Sequence, residues 1–219
     1  MNAKEFVAQL LDEMGKLFAR LGETETLESE SEGNVDVVTL LRLALKSELE
    51  ASELAGFWMP TTPEVDAKMA LALQCGDEMK HYGMISQRLA ELGEDLTDFD
   101  PLSDGHSPLY QYLRSLRTTV ERIAAGPFAS EAIALIRNAQ FVTFCRSVGD
   151  EDTARLYADT IQPEEAHHHH LGREILEKYL TTPDLQESAA SAVRNTLAIA
   201  DELRNLAAKT TGVHNIPVS

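Results

Sequence analysis

Four stretches of this chain read as amphipathic helices, and in each a glutamate interrupts the apolar seam near mid-length. Over about residues 35–59 (helix A) the seam is Val38, Leu41, Leu45, Glu48, Ser52, Ala55 and Met59. Over about 63–92 (helix B) it is Leu71, Cys75, Glu78, Tyr82, Ile85 and Leu89. A third helix (C), beginning at a Gly126-Pro127 break, carries Phe128, Glu131, Leu135, Val142 and Cys145. The fourth (D), about 151–180, carries Ala154, Ala158, Ile161, Glu165, His168, Ile175 and Tyr179. By contrast, Glu50 and Glu53 share a stripe with Lys46 and read as solvated. An unpaired buried carboxylate is costly, and four facing one another repel and take up protons. A fold that joins these seams must therefore supply positive charge at its centre.

Helix boundaries are marked by hydroxyl caps followed by proline: Thr62-Pro63, Ser107-Pro108 and Thr182-Pro183. The hydroxyl accepts an orphaned backbone N–H, and proline at the first helical position has none to satisfy. Asn34 is a fourth expected cap, with Asp36 favourable at the positive end of the helix dipole. About four residues join A to B and about two, Gly149-Asp150, join C to D, so each pair must form an antiparallel hairpin. Between B and C run an Asp- and Gly-rich loop over 93–106 and a helix over about 108–125, a path long enough to cross the bundle end to end. An amphipathic helix over about 2–21, with Phe6, Leu10, Leu17 and Leu21 on one face, precedes an acidic linker from Glu23 to Gly33. A last helix spans about 183–209, with a loose tail after Thr210. The expected domains are 1–33, 34–180 and 181–219.

Of the 219 residues, 19 are Lys or Arg and 36 Asp or Glu, a formal net charge of −17. Such a surface repels nucleic acid and anionic membranes and concentrates cations. The start of the chain lacks a secretory pattern and no apolar run reaches membrane length, so the expected compartment is the cytoplasm. Cys75 and Cys145 lie on apolar stripes and read as buried reduced thiols.

Helices B and D each supply Glu-x-x-His, as Glu78-x-x-His81 and Glu165-x-x-His168, placing carboxylate and imidazole one turn apart on one face. Two divalent cations bring +4 against the four seam carboxylates. One imidazole per metal among oxygen donors suits iron or manganese, whereas zinc sites favour His and Cys. The set Glu48, Glu78, His81, Glu131, Glu165 and His168 resembles the ferritin-like diiron-carboxylate superfamily, which includes bacterioferritins, rubrerythrins and bacterial multicomponent monooxygenases. The resemblance covers about residues 35–180. It implies an all-α four-helix bundle with one long crossover, here extended by a helix at each end. It also implies two iron ions, with manganese or adventitious zinc as substitutes. In it Glu48 and Glu131 would be terminal ligands, Glu78 and Glu165 bridges, and His81 and His168 terminal imidazoles.

Alternatives stand beside this reading. Pro163 inside helix D should kink or restart it, and a rotated frame would present Glu164 and His167 instead. Glu131 sits just after the expected break, with Glu121 the only other nearby glutamate. A metal-free bundle would need cations for its glutamates, from Arg42, Arg114, Arg117 or Arg137. His169 and His170 read as surface, Trp58 as packing at the bundle end, and Tyr82 and Tyr157 as packed phenols with satisfied hydroxyls. The expected activity is an oxidoreductase using O2 or peroxide on a small-molecule substrate, with electrons from a partner protein. Iron oxidation and sequestration is the alternative. A homodimer built partly from the terminal helices is the expected assembly.

Overall fold

The structure is a computed structural model that describes residues 1–23 and 36–211, and among these every regular element is helical. Nine α-helices follow in chain order: α1 (Ala3–Glu23), α2 (Val37–Trp58), α3 (Val65–Glu91), α4 (Pro108–Ser115), α5 (Thr119–Ile123), α6 (Glu131–Ser147), α7 (Glu151–Leu156), α8 (Gln162–Tyr179) and α9 (Pro183–Thr211). The acidic linker, the Asn34 cap and the tail lie outside the described residues. Asp36 caps α2 instead, its carboxylate accepting the Thr39 N–H at 2.8 Å. The Ser107 and Thr182 caps form as expected, on the N–H groups of Tyr110 and Leu185. Thr62 is no cap. It lies buried after a 3-10 turn, donates to the Trp58 carbonyl and accepts from Arg122, and α3 starts at Val65.

The third and fourth seams differ most from expectation. The break expected at Gly126-Pro127 occurs instead at Leu116–Thr118, where Thr118 and Glu121 form a reciprocal capping box. From Thr119 to Ser147 the chain is one continuous rod, widened into a π-helix over Ala124–Ser130. The wider turn accommodates Pro127, which has no N–H to give and would clash with the carbonyl of a regular α-turn. Glu131 is thus near the middle of a 29-residue rod rather than at the start of a helix. Likewise α7 and α8 form a single rod through a π segment at Tyr157–Ile161, just ahead of Pro163.

Packing sets the direction of each rod. One apolar cluster joins Leu54 and Trp58 of α2, Leu71 of α3, Ala125 and Phe128 of the third rod and Leu176 of the fourth. A second joins Leu41 and Leu45, Ile85 and Leu89, Phe141 and Cys145, and Tyr157 and Ile161. In every rod the seam glutamate falls between its two clusters, so a polar layer is held between two dry ones. The cluster order makes α2 antiparallel to α3 and the third rod antiparallel to the fourth. The α3-to-α5 connection therefore has to travel the length of the bundle. It is tied to α2 on the way by Ser107, whose N–H and hydroxyl both donate to Glu50 at 2.6 Å. That contact buries Glu50, the glutamate expected in solvent.

The terminal helices dock on the first cluster. In α1 the buried face is Val7, Leu10 and Met14, with Phe6 partly covered; Leu17 and Leu21 lie beyond the described side chains. In α9 it is Ala189, Ala190, Val193 and Thr196. Glycines allow the closest approaches: a Cβ on Gly126 would lie 2.9 Å from the Trp58 ring, and one on Gly172 would lie 2.9 Å from the backbone of Pro127 and Phe128. Because the second obstacle is backbone, Gly172→Ala should cost roughly 1–3 kcal/mol, read as a lower urea midpoint. An unchanged midpoint would mean that the π segment yields freely. No described helix is long and apolar enough to cross a membrane.

Candidate metal centre

The six expected residues converge. Glu48, Glu78, His81, Glu131, Glu165 and His168 are each at most 2% exposed. They form two overlapping groups, Glu48–Glu78–His81–Glu165 and Glu78–Glu131–Glu165–His168, each with one ligand atom per residue within 4.8 Å of the others. The groups share Glu78 and Glu165. His81 Nδ1 lies 3.3 Å from Glu48, 3.4 Å from Glu78 and 3.7 Å from Glu165. His168 Nδ1 lies 3.6 Å from Glu78 and 3.5 Å from Glu165. These are the separations of adjacent donors around a cation with bonds of about 2.0–2.2 Å.

The inward atoms are also the unsatisfied ones. Glu48 Oε2, Glu78 Oε2, Glu131 Oε2, both Glu165 oxygens and both Nδ1 atoms are buried with no hydrogen-bond partner. Buried polar groups are normally paired, so seven such atoms turned toward one centre fit a cationic occupant. The electrostatics agree. Burial pushes Glu48 and Glu131 well above the ordinary carboxylate range, with the neighbouring glutamates adding to it. Glu78 is raised by burial and by Glu165. Burial also works to raise Glu165, but the adjacent Glu131 carboxyl and the two imidazoles hold it below its usual value. Burial would depress His81, yet Glu48 and Glu78 outweigh it and raise its pKa to about 11. Without a metal the cluster compensates by gathering protons.

A second layer orients the imidazoles. His81 Nε2 meets Glu164 at 2.7 Å and His168 Nε2 meets Asp77 at 3.1 Å. Lys80 joins the two outer carboxylates, donating to Glu164 at 2.6 Å and Asp77 at 3.2 Å. Carboxylates on the outer nitrogens fix ring orientation and leave Nδ1 to the interior. Glu164 therefore has an outer role and Glu165 the inner one, while His167 is exposed. The π segment ahead of Pro163 absorbs the disturbance, so the frame is not rotated.

Glu121 is in the capping box and accepts from Ser188, leaving Glu131 in the cluster. Three of the candidate arginines serve elsewhere: Arg42 pairs with Glu94, Arg114 lies over the Phe57 ring, and Arg137 donates to the Ala200 carbonyl; of Arg117, the backbone N–H donates to Glu121. Gln74 was not foreseen. Its buried carboxamide donates to Glu131 and, at 3.4 Å, to Glu78. The signal was there, one turn before Glu78 on the same face, but an amide on a seam reads as a tolerated polar residue. Tyr157 departs from expectation: its hydroxyl is buried without a hydrogen bond, and burial and Glu48 raise its pKa. Tyr82 is half-buried. His169 stacks on Phe128 and bonds its carbonyl at 2.8 Å, bracing the π segment, whereas His170 is exposed. Cys145 is buried and Cys75 only partly so; both are free thiols.

No family model, curated protein or solved structure matches this chain.

Proposed function

We propose that this chain is a ferritin-like diiron-carboxylate protein and an oxidoreductase that uses O2 or peroxide. The observation that carries the reading is the pair of four-donor groups sharing Glu78 and Glu165. Two ions held by shared carboxylates, one imidazole each, form a neutral unit with four glutamates, and this donor set suits iron or manganese better than zinc. The two antiparallel pairs and the end-to-end crossover agree with the ferritin-like arrangement.

Bound iron would supply the electrons that reduce O2. The protein's own residues prepare the site. Glu78 and Glu165, common to both donor groups, would help hold both ions, and Glu48 and Glu131 would each serve one of them. Asp77 and Glu164 fix the imidazoles, Lys80 ties those carboxylates together, and Gln74 orients Glu131. The apolar layers around Leu45 and Ile85 on one side and Phe128 on the other keep bulk water from the cluster. With two cysteines in the sequence, far short of a four-cysteine electron-transfer module beside the site, a partner protein is the proposed electron donor.

Loading with Fe(II) and exposure to O2 tests this. Absorbance should report oxidation of about two irons per chain, then stop, and added reductant should restart it. Sustained iron uptake far beyond two per chain, into a large hollow particle, would assign the site to storage.

A further inference from the structure

The outer face of α3 has no partner among the described residues. Val65 and Met69 are 69% and 68% exposed, and Leu73 and Met79 follow at 40% and 44%. Gly76 lies between Leu73 and Met79, and Gly83 one turn beyond; both are exposed, and an added Cβ at either would meet nothing within 4 Å. Glycine in mid-helix costs roughly 0.5–1 kcal/mol relative to alanine, and nothing among the described residues accounts for either one. From residue 65 to 90 the exposed positions of α3 include one charge, Lys80, and no acid. Lys80 is already engaged with Asp77 and Glu164.

We infer that this face is the interface of a homodimer, formed by α3 against α3 of a second copy, antiparallel about a two-fold axis level with Glu78. The charge distribution selects the occupant. At −17 per chain two copies repel, and the outermost strip of α3, whose fully exposed positions from 65 to 90 carry no acid, is where they can meet with least of that cost. The antiparallel arrangement opposes the helix dipoles. It also sets Leu73 of one copy over the open backbone at Gly83 of the other. A self-complementary patch of this kind is what two-fold symmetry requires. The described part of the α1 apolar face, Val7, Leu10 and Met14, is buried against its own chain. The α3 dimer also covers Lys80 and with it the outer layer of the metal centre.

Sedimentation equilibrium of the full chain at rising concentration tests this. The unmodified protein should approach twice 24.2 kDa. The double variant Gly76→Glu/Gly83→Glu should fall to 24.2 kDa with unchanged helical circular dichroism, since both positions open onto free space. Met69→Glu should weaken association in the same direction if the double variant folds poorly. Val148→Glu, at an exposed apolar site outside α3, should leave the mass at the dimer value. A monomer at every concentration would overturn the proposal, leaving the face to a different partner. A dimer that survives both α3 variants would overturn it as well.

Discussion

Adding iron anaerobically to the metal-free protein is expected to raise its melting temperature by about 15–30 °C. Each ion that binds only the folded state stabilises by about 4 kcal/mol when present at a thousand times its dissociation constant. Two ions supply about 8 kcal/mol, and a chain of this length shifts by about 2–4 °C per kcal/mol. The shared ligands make the prediction specific. Glu78 belongs to both donor groups, so Glu78→Ala should abolish nearly all of the shift. His168 belongs to one, so His168→Ala should retain up to half. Differential scanning calorimetry separates these outcomes. An undiminished shift in both variants would place the metal elsewhere.

Without metal, stability should fall as pH rises from about 5 to 9, by on the order of 10 °C in melting temperature. A carboxyl whose folded pKa exceeds its unfolded value binds its proton more tightly in the native state. Its contribution is complete below the unfolded value and is lost as pH climbs toward the folded one. Glu48, Glu78 and Glu131 all move upward from 4.5. His81 moves from 6.5 to about 11, so it loses its contribution over that range, and the raised His168 acts in the same sense. Glu165 moves down and opposes them only below its ordinary value of 4.5. Each tenfold difference in proton affinity is worth about 1.4 kcal/mol, or about 3–6 °C here. Glu48→Gln and Glu131→Gln should each flatten the profile, because a carboxamide does not ionise. An apo protein that melts at one temperature across this range would show that the glutamates are compensated by other means.

Both expectations rest on residues whose placement was legible from periodicity. Glu48, Glu78 and Glu165 sit on seams that stay in register, because α2 and α3 are regular helices and the π segment of the fourth rod ends before Gln162. Glu131 lies on its expected seam although the break expected just before it does not form. Gly126-Pro127 has the local chemistry of a helix break, but packing of Gly126 against Trp58 and of Gly172 against Pro127 holds the segment helical as a widened turn. Tertiary contact overrode local propensity there, and no sequence pattern marks a π segment. The outer layer was harder to see. Asp77 and Glu164 lie on stripes of their own, and their pairing with His168 and His81 joins residues 91 and 83 positions apart. Glu50 misled for the same reason: its partner, Ser107, lies across the crossover.

The central claim is that Glu78 and Glu165 join two metal ions in one site. Elemental analysis of protein purified without a metal-affinity step tests it most directly. Close to two equivalents of iron or manganese per chain are expected, lost from at least one site in Glu165→Ala. Protein that binds no iron or manganese even when supplied with excess, yet folds and melts normally at pH 8, would contradict it.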